Sequence, residues 1–517
     1  RFAGPVRWNW AVNFDPAVIG TSDNLDPTPG GLKVALAITR MDIEGPPPAA
    51  AGELAPKLIR LASAEGGVIA GNVLKGGTTE FFRGPWQVVG NLYRGSVAGT
   101  YAYDAFAGHD THDLLLAGNL LRPDAGSGRT WRFLVLTGSG SGDAIRDNTV
   151  EGIGPRDTDT VHLNANEIIL TEAYRLHFEG KPAAPAAGGR IVQIPTPRGE
   201  PAGAGSIVAV LSGPDAGQWR RIAQAIDPRT YLLESPLPAG DSAIAITTGF
   251  VGEVIQGNTI DTRGSSVAGN LVLPGNHFGT QVVGNRLLGG GEALRITAAP
   301  TEQPFEWGWS HTPSFGWVIR GNALEDSARG GTLAVEHGPP IKSNRGRLYF
   351  TAELTYNTAA WSDAFRARRT PPPAFTVGDP GSIDPGELVL TAWGNRVADG
   401  PSGSSLRVRV ATLNGQPAID QSVPLPVAGL AAPTGLVLVR DTGAGASDGI
   451  TADGRLRFEA VPGASGYEYR TATSAVYRPL DPRAGVPFPP EGLAQGSNTV
   501  WVRAVDAAGT RGPEAAI

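Results

Sequence analysis

Apolar and polar positions alternate in short bursts along this chain, and one burst recurs: two or three β-formers, a small residue, an asparagine, then more apolar residues. It reads GVIAGNVL over Gly67–Leu74, WQVVGNLY over Trp86–Tyr93, LLLAGNLL over Leu114–Leu121, EVIQGNTI over Glu253–Ile260, TQVVGNRL over Thr280–Leu287 and WVIRGNAL over Trp317–Leu324. Strand-length runs broken by a single corner predict a strand–bend–strand unit. Two series of asparagines carry the unit, Asn72, Asn91, Asn119, Asn148 and Asn166, then Asn258, Asn285, Asn322, Asn357 and Asn395, with steps of 18 to 38 residues within each. That is the period of stacked solenoid repeats. Asparagine tolerates the left-handed backbone of a sharp corner, so the bend is expected at asparagine itself. Its amide can bond the next asparagine in the stack and so satisfy a buried corner.

Two stretches leave the rhythm. Residues 180–248 break into GGRIVQIPTPRG, GSIVAVLSGPDAGQWRRIAQ and TYLLESPLPAG, three strand–turn units that predict a small antiparallel β insertion on one coil. From Leu430 onward, APTGLVLV, GRLRFEAVPGASGYEYR and NTVWVRAVDAAGTRGPEAAI alternate again and predict a β-sandwich over 430–517, which leaves 1–429 to the solenoid. Before Gly67 the period is less regular, and GLKVALAITR can supply a strand of an early coil. The expected class is therefore all-β.

The phrase between Gly67 and Arg396 resembles the right-handed parallel β-helix superfamily of pectate lyases, polygalacturonases, alginate epimerases and phage tailspikes. The tyrosine of GYEYR and the terminal VRAVDAAG resemble a fibronectin type III-like domain. No catalytic signature of pectate lyases or polygalacturonases is present, so no catalytic residue is carried over from them.

Composition narrows the chemistry. The 71 glycines and 43 prolines act as turn punctuation, because apolar strands interrupt them at short intervals. Lysine and arginine total 43 against 49 acidic residues, a net charge of −6 that argues against a general nucleic-acid or anionic-membrane binder. With no cysteine, disulfides and thiolate metal sites are excluded. No apolar run is long enough for a membrane-spanning helix. RFAGPVRWNW does not resemble a signal peptide, and a start at Arg1 suggests the trimmed product of an exported precursor, secreted or held at the cell surface. Dinucleotide, P-loop, serine-hydrolase and zinc-protease motifs are all missing.

The resemblance implies a ligand groove along one parallel sheet, where residues of neighbouring coils form a column about 4.8 Å apart per step. The expected groove strands are Ala173–Gly180, Ala268–Leu273, Ala293–Ala298 and Thr332–His337. Alternation points Arg175, His177, Glu179, Arg295, Thr297 and Glu336 outward, with His337 at a strand end and Arg295 beside Glu336. The loops that follow carry Trp307, Trp309 and His311, then Lys342 and Arg345. Tryptophan suits sugar faces, and lysine or arginine suits carboxylates.

An extended, acidic polysaccharide is the expected partner, and two chemistries compete. For β-elimination, Arg295 and Lys342 would neutralise a uronate while His177 or His337 abstracts its proton. For hydrolysis, Glu179 and Glu336 would stand about 14 Å apart, loose for a carboxylate pair. A glycan-binding adhesin or tailspike-like module, with no catalysis, is the remaining alternative. YDAFAGHDTHD and DTDTVH add Asp110, Asp113, Asp157 and Asp159, either turn-formers or ligands for calcium or another hard cation.

Overall fold

In the computed structural model the chain winds into a parallel β-helix whose corner is marked by the asparagine phrase. The structure describes residues 6–7, 12–13, 36–44, 57–61, 66–95, 101–125, 129–152, 167–173, 175–185, 189–197, 200–237, 240, 242–263, 265, 267–297, 313–335, 347–378, 384–397, 405–410, 419–424, 432–439, 454–461, 464, 466–472, 474–480, 487–490, 493, 498–505 and 511–517. Each coil passes through three strands. In one of them Tyr101–His112 (first sheet) leads to Leu115–Ala117 (second sheet) and, past Gly118 and Asn119, to Leu120–Leu121 (third sheet). The third sheet holds eleven parallel strands from Val6–Arg7 to Arg396–Val397. GLKVALAITR supplies Leu36–Thr39, which pairs in parallel with Gly67–Ala70.

The left-handed residue of each corner precedes the asparagine. Gly71, Gly90, Gly118, Gly257, Gly284, Gly321 and Gly394, with Asp147 and Tyr356 in equivalent places, have φ between 55° and 66°. Glycine adopts that conformation without a Cβ clash. The bend expected at asparagine therefore falls one residue earlier, and the asparagine side chain is free to serve the stack. Asn91 donates from Nδ2 to Asn119 Oδ1 and to the Ile69 carbonyl, both at 2.9 Å, and its backbone N–H donates to Asn119 Oδ1 at 3.0 Å. The series runs from Asn72 through Asn395, with every amide at most 3% exposed. Asn166 was expected to be a member but is bypassed: Asn148 donates directly to Asn258 at 2.9 Å, 110 residues on. Asn166 itself lies outside the described residues.

Inside the coils, like stacks on like. Ile69, Val88, Leu116, Ile145, Ile255, Val282, Ile319 and Leu354 are successive register partners in the second sheet, and all are fully buried. Each contributes about 1.5–3 kcal/mol through burial. Among the described residues, helix is confined to Asp363–Arg366, where the Ser362 side chain accepts a hydrogen bond from the Phe365 N–H.

The insertion is an antiparallel sheet whose first strand is Leu176–Gly180, paired with Ile244–Thr247. The expected groove strand Ala173–Gly180 is thus not a coil strand. A bulge between Leu176 and Phe178 breaks the alternation that had put His177 outside. Leu176 packs in a cluster with Val251, Phe278 and Phe315 of the coils, while Phe178 joins Val208, Ile222 and Ile246 in the insertion's own core. Beyond the solenoid, Gly466–Thr471, Ser474–Leu480, Val500–Val505 and Arg511–Ala516 form one antiparallel sheet, and Val437–Leu438 with Leu456–Arg457 forms another. They share a core of Leu456, Phe458, Tyr467, Tyr469, Phe488 and Val502, giving the C-terminal β-sandwich.

Candidate functional site

Three of the four expected groove strands do lie in the first sheet, as Gly269–Pro274, Glu292–Thr297 and Gly331–Val335. Leu294, Ile296 and Leu333 face the core. Arg295 is partly exposed, and its register partners on the neighbouring coils are Val272 before it and Thr332 after it. Its guanidinium instead meets Glu292 of its own strand at 3.5 Å, and Glu292 also binds Arg329 at 3.0 Å. Thr297, expected to face outward, is fully buried.

His177 is 3% exposed, and its Nδ1 lies 2.8 Å from the Glu200 carbonyl oxygen. Burial holds this imidazole below the ordinary histidine range, with Arg175 adding to the effect and the Glu200 carbonyl opposing it. Arg175 is exposed and pairs with Glu200 at 3.1 Å, and Glu179 pairs with Ala245 in the insertion sheet. Asp110 and Asp113 occupy left-handed corners and are exposed. Asp110 accepts from Ser139 at 3.1 Å, and Asp113 lies 3.4 Å from His112. Among the described residues no three or more histidine, aspartate or glutamate side chains converge as a metal site. Trp307, Trp309, His311, Glu336, His337, Lys342, Arg345, Asp157 and Asp159 lie outside the described residues.

The segment read as an aspartate- and histidine-rich turn is the twelve-residue strand Tyr101–His112 of the first sheet. It pairs in parallel with Thr78–Phe82 on one side and Arg129–Ser141 on the other. One outward column therefore runs Phe82, His109, Thr137, Glu172 on successive coils. His109 is one-third exposed. Its Nδ1 is 2.7 Å from Thr137 Oγ1, its Nε2 is 3.3 Å from Glu80 Oε1, and Phe82 stacks on the ring at 4.7 Å. With Glu80 accepting from Nε2–H, the Nδ1 lone pair accepts from the Thr137 hydroxyl.

Glu172 stands two coils beyond His109, about 10 Å along the column. Burial pushes its carboxyl up to about 7; Arg132 opposes the shift and Glu167 adds to it. Arg132 is itself held by Asp104 at 2.6 Å. Near neutral pH this column thus offers an imidazole held by two neighbours and a carboxyl able to donate a hydrogen bond. In the adjacent outward column Val135, Leu170 and Val272 form a buried apolar patch.

A second acid–histidine group lies inside the corner between the first and second sheets. Asp143 and Glu253 follow one another in register, and His277 Nδ1 is 3.6 Å from Glu253 Oε2. All three side chains are essentially unexposed. Asp143 accepts from Thr111 at 2.7 Å and from the Leu114 N–H at 3.0 Å. Burial pushes its carboxyl up to about 7, those two hydrogen bonds oppose the rise, and Glu253 and Asp113 add to it. Phe250 stacks on His277 at 5.3 Å, and Trp317 lies 4.9 Å away on the other coil.

The crystal structure of alginate lyase from Paenibacillus sp. str. FPU-7 is similar to the chain over 78% of its residues and 97% of that protein's, at 13% sequence identity and a TM-score of 0.33. No family model matches the chain, and no curated protein sequence matches it.

Proposed function

We propose that the His109–Glu172 column cleaves an acidic polysaccharide by β-elimination, and that the protein works on such polymers outside the cell. The reading rests on one juxtaposition: an outward imidazole held by Glu80 and Thr137, with a carboxyl raised to about 7 two coils further along the same face. The gap of about 10 Å leaves room for one sugar ring between them. Glu172, in its neutral form, donates a hydrogen bond to the uronate carboxylate, which draws charge out of the ring and acidifies the neighbouring C–H. Once the Thr137 hydroxyl rotates off its lone pair, His109 Nδ1 takes that proton, a C=C bond forms, and the glycosidic C–O bond β to the carboxylate breaks. The imidazolium then returns a proton to the departing oxygen, so the step needs no external oxidant or nucleophile.

Hydrolysis fits this face less well. Glu80 and Glu172 are three coils apart, about 14 Å, beyond the usual separation of a hydrolytic carboxylate pair. The test is a panel of acidic and neutral polysaccharides followed for new reducing ends and for the ultraviolet absorbance of an unsaturated uronate. Both signals together, lost in His109→Ala, support elimination. New ends without absorbance point to hydrolysis, and retention of a polymer without cleavage points to a binding module.

A further inference from the structure

The insertion meets the coils at a cavity of about 540 Å³, lined among others by Gln218, Trp219, Arg220, Arg221, Glu234 and Val251. Its volume suits a saccharide of one to a few units. Trp219 is half-buried, and its indole rests on the solenoid: Phe278 is 5.5 Å away, and the ring lies beside Gly279 and Gly316. The tryptophan is therefore fixed in place while part of it lines the cavity.

The cations beside it are oriented and incompletely neutralised. Arg220 donates from Nε to the Pro236 carbonyl at 2.9 Å and from Nη1 to the Trp219 carbonyl at 2.7 Å. These are neutral acceptors, and no carboxylate among the described residues pairs with this guanidinium. Arg221 lies 3.7 Å from the half-exposed Glu234, and its Nε is buried without a hydrogen-bond partner. Among the lining residues two are cationic, Arg220 and Arg221, against one acidic, Glu234, which is near Arg221 alone, so the lining carries net positive charge beside an aromatic surface. That combination selects a ring with an apolar face and a carboxylate edge.

We infer that this seam is a second saccharide site, outside the His109 column, which holds a uronate unit of an acidic chain with Trp219 under the ring and Arg220 and Arg221 on the carboxylate. The inference rests on the acidic-polymer reading for its ligand class, but its residues are independent of the cleavage site. Holding the polymer at two places would raise the local concentration of substrate at the groove.

The full chain should be titrated calorimetrically with trigalacturonate, trimannuronate and triguluronate, with maltotriose as the neutral control. The titrations would compare wild type, Arg220→Gln, Arg221→Gln and His109→Ala. At least one acidic trimer is expected to bind tenfold or more tightly than maltotriose, and Arg220→Gln and Arg221→Gln should each weaken it about tenfold while leaving thermal unfolding unchanged. His109→Ala should leave this binding in place. Persistence of binding in His109→Ala, alongside absence of polymer cleavage by the wild type, would refute elimination and leave the seam site standing. Equal binding of acidic and neutral trimers, no binding of any, or binding unmoved in both arginine variants would overturn the inference.

Discussion

Among the described residues two histidine–acid groups are built from similar parts, one facing out and one sealed inside. His109 has Glu80, a threonine and a stacked phenylalanine; His277 has Glu253 and a stacked phenylalanine, and the neighbouring Asp143 supplies the threonine contact. In both places a carboxyl is lifted to about 7, at Glu172 and at Asp143, and burial is the leading cause in each. The difference is access. His109 is one-third exposed, while His277 is completely enclosed by its coils. Perturbed acidity therefore does not by itself mark a reactive centre: the same displacement arises beside a partly exposed face and in a closed corner, and burial drives both.

Substitution of the two histidines should break this comparison most sharply. His109→Ala is expected to lower turnover of the acidic polymer by about 10²- to 10⁴-fold with little change in thermal stability. His277→Ala is expected to spare the groove and to lower unfolding free energy by about 2–4 kcal/mol in urea melts, through lost packing against Phe250 and Trp317. Loss of turnover without loss of stability in the second variant would reverse the assignment.

The enclosed group also makes a pH statement. The Asp143 carboxyl moves from 3.8 in the unfolded chain to about 7 when folded, so the native state binds the extra proton. Its contribution is fully present below pH 4 and is lost as pH rises towards 7, on the order of 4 kcal/mol in total. Urea midpoints measured from pH 4 to 8 should carry this slope, and Asp143→Asn should flatten it. On the outward side, elimination as proposed uses Glu172 in its protonated form, so kcat/KM should fall above about pH 7, and Glu172→Gln should remove that limb. The smallest effect is expected at Thr137→Val, where losing one hydroxyl contact to His109 should cost about 1 kcal/mol of transition-state stabilisation, read as a several-fold drop in kcat.

The coils were legible because each one repeats the same buried demands. An apolar pair flanking a glycine–asparagine corner announces a strand end, a left-handed residue and an amide ladder within eight residues. What stayed hidden was every place where the outward face is itself apolar or the inward face charged. Ala107 and Gly108 precede the outward His109 with two small residues, so Tyr101–His112 lacked the alternation that would have marked it as a strand. Asp143 and Glu253 stand at interior positions that the pattern reserves for apolar residues. At His177 a single bulge was enough to turn an expected groove residue into a buried one.

The long step from Asn148 to Asn258 has a consequence for how such a chain tolerates new material. The two amides meet at the same 2.9 Å as neighbours 28 residues apart, although an entire sheet is threaded between them. That sheet leaves and re-enters the solenoid through the paired ends Leu176 and Thr247. Closing a longer excursion costs only about 0.6 kcal/mol per doubling of its length. The coil at this point is a socket: a foreign domain whose termini lie side by side should plug in between Arg175 and Thr248 without disturbing the winding, and this architecture can acquire new modules by insertion as readily as by adding turns.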